Sequence, residues 1–125
     1  MRSIVSLTNK DNGQLILRTI DDFPIGICVT DHTGKFIMSN KAYLKLNGYK
    51  QEDLLGKNFT IVVPEPYKEK LQKLHDDFIE NEFELLDIWD VQKADGTPIH
   101  VLANASRVEI ADQPTKVTFV VMFPT

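Results

Sequence analysis

The run Ile25-Gly-Ile-Cys-Val-Thr-Asp31, the turn His32-Thr-Gly34 and the run Lys35-Phe-Ile-Met-Ser39 decide the fold of this chain. The outer two pieces are rich in β-branched and apolar residues. The middle one is turn chemistry, with a glycine free to take the positive φ of a tight reversal. Together they predict a β-hairpin. Upstream, Asp11 or Asn12 can cap a short helix in which Leu15, Ile16, Ile20 and Phe23 recur at helical spacing, and Pro24 ends it. Downstream the pattern turns helical. Asn40 is an N-cap for Lys41 to Leu46, Asn47-Gly48 closes that helix, and Gln51 to Leu55 makes another, stopped by Gly56.

Further along, Phe59 to Val63 is apolar and reads equally as strand or helical turn. Pro66 suits the first turn of a longer helix from Tyr67 to about Asn81, with Tyr67, Leu71, Leu74, Phe78 and Ile79 on its apolar face. The last third is strand-forming. Phe83 to Lys93 leads into the turn Ala94-Asp-Gly-Thr-Pro98, Ile99 to Ile110 follows, Asp112-Gln-Pro114 reverses the chain again, and Thr115 to Phe123 is a β-branched run. Two groups of antiparallel strands around a helical insert imply an α+β domain: one sheet of five strands with helices on one face. Such a sheet closes up only if its first and last strands pair.

Composition bounds what the domain can do. The chain has 125 residues, 42% hydrophobic and 26% charged, which is the size and make-up of one globular unit. Residues 1–12 read as a lead-in, 13–123 as the single domain with its N-terminal helix, and 124–125 as the end. A net charge of −4 with scattered basic residues argues against a nucleic-acid partner. One cysteine, Cys28, excludes an internal disulfide framework or a thiolate metal cluster. No signal peptide or membrane-length apolar run occurs, so the chain is expected in the cytoplasm, with no membrane partner.

The order of elements resembles the PAS family over about residues 13 to 123. The resemblance rests on Ile27-Cys-Val-Thr-Asp31 with Gly34, on Ser39-Asn-Lys-Ala42, and on Leu46-Asn-Gly-Tyr49. Glu52-Asp-Leu-Leu-Gly-Lys57 and Lys93-Ala-Asp-Gly96 complete it. Each piece is unspecific alone; together, in order and at PAS spacing, they are specific. The resemblance implies a PAS-like α+β fold, a five-stranded antiparallel sheet with helices on one face and an N-terminal helix on or near the other, and a pocket between the inner sheet face and the helical insert. It places Thr30 on that face, and alternation adds Cys28. By the same reading Trp89 and Val91, then Val101, Ala103 and Ala105, then Phe119, Val121 and Phe123 point inward. Phe59, Leu71, Leu74, His75 and Phe78 close the pocket from the helical side. Trp89 is expected to fill space opposite Ala103 and Ala105 rather than to stack on a ligand. The outer face then carries Ile27, Val29, Leu102, Val120 and Met122. With Leu15, Ile16 and Ile20 of the N-terminal helix these form an expected homodimer interface.

Chemistry at the pocket is expected to be binding alone. The flavin photosensors of the light-oxygen-voltage (LOV) type carry a reactive cysteine in a run that aligns here with Asn58-Phe-Thr-Ile-Val-Val63, where Phe59 stands in its place. Val91 and Val101 occupy positions of polar flavin contacts and cannot hydrogen-bond. His75 can point inward, but its register differs from haem ligands in similar domains, so haem is the lesser alternative. No two histidines share metal-ligand spacing, and no phosphate loop, nucleophile elbow or metal-binding helix motif occurs. No cofactor, metal or catalytic residue is therefore assigned. The expectation is a non-enzymatic sensory module that takes a small apolar ligand, dimerises, or both, and acts on a downstream kinase, cyclase or regulator. A ligand-free dimerisation or docking module is the alternative. The helix that usually follows such a domain is not seen before Thr125, so the chain reads as an excised domain or a stand-alone protein.

Overall fold

The computed structural model describes residues 20–81 and 85–123, without the side chain of Leu85. Strands β1 (Gly26–Thr30) and β2 (Phe36–Ser39) form the predicted hairpin. The helical insert follows as α1 (Lys41–Asn47), α2 (Gln51–Leu54), two 3-10 turns (Phe59–Val62 and Glu65–Tyr67) and α3 (Lys68–Asn81). Strands β3 (Leu85–Gln92), β4 (Pro98–Ile110) and β5 (Gln113–Met122) complete a five-stranded antiparallel sheet of order β2-β1-β5-β4-β3. The first and last strands do pair, from Gly26 opposite Val120 to Thr30 opposite Lys116. The expected helix start, with Leu15 and Ile16, lies outside the described residues.

Local chemistry explains the joints. Asn40 caps α1 by accepting from the Tyr43 amide at 2.9 Å, and Gly48, at φ 76°, returns its N–H to the Leu44 carbonyl at 2.8 Å. The ambiguous run Phe59–Val62 is a 3-10 turn because the Asn58 side chain accepts from the Thr60 amide at 2.9 Å. In the first hairpin turn Gly34 sits at φ 99°, and a Cβ there would stand 3.0 Å from the Phe59 ring. The glycine thus admits both the reversal and the close approach of Phe59. Pro114 lies in β5 beyond Lys116, where pairing with β1 stops, so its missing N–H breaks no bond to that strand.

The core lies between the inner sheet face and the insert, around Phe36, Tyr43, Leu54, Val62, Val63, Val101 and Val120. Tyr67, expected on the apolar face of the long helix, falls in the preceding 3-10 turn and is exposed.

One strand is turned over relative to expectation. Residues directly opposite in an antiparallel pair share a face. Ala103 is opposite Val120 and Ala105 is opposite Thr118, so Lys116, Thr118 and Val120 face inward. Phe119, Val121 and Phe123, expected inside, are exposed, and Val120, expected outside, is buried. Met122 shares the inner parity, opposite Val101, but lies at the strand end and is exposed. Ile27 and Val29 are on the outer face, as their alternation with Cys28 and Thr30 requires, yet both are buried. The exposed apolar part of that face lies elsewhere, at Leu86, Ile88, Phe119 and Val121.

Candidate ligand cavity

Between sheet and insert lies a cavity of about 110 Å³. The sheet contributes Cys28 and Thr30 from β1, Trp89 and Val91 from β3, Val101, Ala103 and Ala105 from β4, and Lys116, Thr118 and Val120 from β5. The insert contributes Tyr43 and Asn47 from α1, Phe59, Val62 and Val63 from the 3-10 turn and its end, and Leu71, Leu74 and His75 from α3. Of the residues expected around a pocket, Phe78 is buried but does not line this cavity, and Phe119 and Val121 are on the wrong face. Tyr43, Asn47, Val62, Val63, Lys116, Thr118 and Val120 line it without having been anticipated there.

Trp89 is directly opposite Val101 and only partly buried, so it borders the cavity without filling the core. Large-to-small changes at fully buried aromatics remove about 3–5 kcal/mol. For this half-covered ring we expect Trp89→Ala to lose only about 1–2 kcal/mol. Urea unfolding of both proteins checks this, and a loss above 3 kcal/mol would place the indole in the core after all.

The wall is mostly apolar, and its polar groups are sharply defined. The His75 ring lies 5.3 Å from the Phe59 ring, and its Nε2 is 3.1 Å from the His32 carbonyl oxygen. A carbonyl only accepts, so Nε2 carries the proton and Nδ1 is left as a bare, buried acceptor with no partner. Burial, and then the positive charge of Lys116, push the His75 pKa down to about 4. The Thr30 hydroxyl is likewise buried and unpartnered.

Lys116 is itself buried, with Nζ 4.4 Å from the centre of the Phe59 ring. Burial pulls its pKa down to about 8. Cys28 is driven the other way, to about 11, again by burial, so its thiol stays protonated and unreactive at neutral pH. Among the described residues no cluster of histidine, cysteine and carboxylate side chains is placed to hold a metal ion.

An antiparallel five-stranded sheet curved over a helical insert, with a largely apolar cavity between them, defines a small α+β pocket domain. The chain belongs to the PAS fold family, which it matches over residues 14–123. Solved structures agree on the fold. The PAS domain of an HTR-like protein from Haloarcula marismortui superposes with a TM-score of 0.77 at 15% identity, covering 91% of this chain and 93% of that one. A PAS domain from a two-component sensor histidine kinase gives 0.75 at 16%, covering 91% and 98%. A LOV protein of Rhodobacter sphaeroides gives 0.79 at 14%, covering 92% and 68%. No curated protein matches the chain. Among the described residues no helix is long and apolar enough to cross a membrane.

Proposed function

We propose that this chain is a non-enzymatic sensory module of a signal-transduction protein, and that its signal is occupancy of the cavity by a small, mainly apolar ligand. The observation that carries the reading is the cavity itself. A PAS sheet and its insert leave an opening of about 110 Å³ where a close-packed core would otherwise be continuous, and two of its lining residues, Thr30 and His75, carry a buried polar atom, Oγ1 and Nδ1, without a partner. A buried polar atom without a partner is unfavourable, and a bound molecule would relieve it.

Haem fits this reading less well. The inward histidine already spends Nε2 on the His32 carbonyl, which leaves only Nδ1 for a metal. Phe59 borders the cavity where the LOV resemblance would need a cysteine. Purified protein is accordingly expected to be colourless. Trp89 is the sole tryptophan and lines the cavity, so its emission is a built-in reporter. Small apolar ligands should shift that emission saturably, and native mass spectrometry should show any co-purified molecule as added mass. A visible chromophore band, or an emission unmoved by every apolar probe, would refute the reading.

A second reading has its own support. On the outer face Ile88, Leu102 and Val121 stand in one cross-strand row, and Leu86, Asn104 and Phe119 in the next. Leu86, Ile88, Phe119 and Val121 are exposed. An apolar row of this kind suits a second copy of the chain or an adjoining kinase, cyclase or regulator domain. The two readings are compatible, since the faces are different.

A further inference from the structure

Lys116 is a buried cation without a counter-ion. Its side chain borders the cavity, and no carboxylate of the described residues lies within ion-pairing distance of Nζ. Asp76 favours its charge only from beyond ion-pairing distance, too weakly to offset burial, and Nζ stands over the face of Phe59. That contact is weaker than the hydration an ammonium loses on burial. The simplest structural account, a lysine stem packed in the core with its head in water, does not hold, because the residue is only 8% exposed. The head instead reaches the cavity.

Its neighbours complete a site. Thr30 is directly opposite Lys116 in the β1–β5 pairing, so the two side chains start side by side on the inner face. The Thr30 hydroxyl has no partner and is 1% exposed. From the other side His75 offers only a bare acceptor, which repels an anionic oxygen and would welcome a hydroxyl. Everything else on the wall except Tyr43, Asn47, Thr118 and the indole N–H of Trp89 is apolar or a protonated thiol.

We propose that the ligand is an apolar monocarboxylate built on about one six-membered ring or a chain of similar size, held by Lys116 as its counter-ion. One oxygen pairs with the ammonium and the carboxylate also accepts from Thr30, while a hydroxyl on the ligand body can reach His75 Nδ1. A single cation matches a single negative charge; a phosphate dianion would leave excess charge buried. The cavity, about 110 Å³, is smaller than the apolar cavity of about 150 Å³ that holds benzene, so one ring or a chain of similar size is the upper bound on the ligand body, and the wall must give to admit it. This inference rests on the sensory reading above and narrows its ligand class.

The test separates the two. Benzoate, 4-hydroxybenzoate, phenylacetate and hexanoate are each titrated against their neutral amides at pH 7, by Trp89 emission and by calorimetry. At least one acid should bind about tenfold more tightly than its amide. In Lys116→Met that preference should fall to about one while the amide still binds. Acids and amides binding alike in the parent would overturn the carboxylate inference and leave the pocket reading standing. A preference that survives in Lys116→Met would overturn the role of Lys116. If none of the eight compounds binds, the pocket reading itself fails. A second measurement needs no variant: the Lys116 Nζ resonance should titrate at higher pH with the acid bound than with the amide, and an unchanged midpoint would also overturn the proposal.

Discussion

Asn40→Ala is expected to destabilise the domain by about 3–5 kcal/mol. Asn40 is fully buried, and its side chain makes four hydrogen bonds, all to backbone. Its Oδ1 accepts from the amides of Ile27 at 2.8 Å and Tyr43 at 2.9 Å. Its Nδ2 donates to the carbonyls of Ile20 and Ile25, both at 2.9 Å. One side chain therefore ties β1, the start of α1 and the segment that enters the sheet. Alanine removes the helix cap, worth about 1 kcal/mol, and leaves the buried Ile27 backbone N–H without its acceptor at about 1–3 kcal/mol, with two carbonyls also stripped of donors. Asn40→Asp restores the two accepting positions but sets a carboxylate against those two carbonyls, so it should recover little. Urea unfolding at pH 7 measures both variants. A loss under 1 kcal/mol for alanine would mean that water replaces the network easily and that Asn40 is not a structural tie.

Acid should expose His75. Its folded-state pKa is about 4, against 6.5 in the unfolded chain, because burial and then Lys116 oppose its charge while the His32 carbonyl, Asp76 and Asp31 only partly offset them. As pH falls through 6.5 the unfolded chain takes up the proton and the folded one does not. The unfolded state then binds more protons, so stability falls with pH between about 6.5 and 4 and levels off below. At about 1.4 kcal/mol per pH unit the whole window is worth about 3 kcal/mol. His75→Gln keeps a donor for His32 and cannot titrate, so its profile should lack that slope. Asp31 does not blur the result. Burial raises its pKa, but bonds from Thr33, Lys35 and Gly34 outweigh this and lower it, so its contribution is lost only below the ordinary carboxylate value of 3.8. Parallel stability profiles for parent and variant from pH 7 to 4.5 would disprove the assignment.

The hairpins and caps were legible because their chemistry is local. Asp31, Gly34, Asn40 and Gly48 each announce a turn or an end within four residues. The paired first and last strands were legible from the order of elements. The face of β5 was not. Thr115 to Met122 is apolar at both parities, so alternation has nothing to grip. Its phase is set by the preceding reversal, and Asp112-Gln-Pro114 looks like that reversal by composition. A three-residue turn there would set Ala111 opposite Thr115 and carry Phe119 and Val121 inward. The real turn is Ala111-Asp112, both at positive φ (52° and 65°), with Ile110 opposite Gln113. Neither residue is the glycine that normally marks such a turn. The two turns differ by three residues of register, an odd number that turns the strand over, and Lys116, a residue type expected on the surface, was lost from the pocket with it.

β5 also joins two surfaces that would otherwise need a relay. Lys116, Thr118 and Val120 border the cavity; Phe119 and Val121, interleaved with them along the same backbone, face out. Under the proposed function, a molecule that tugs on the first set would move the peptide units that carry the second. The path from chamber to exterior is thus a single sheet thick, and it runs crosswise, through the pleat, with no hinge, gate or chain of intervening side chains to traverse.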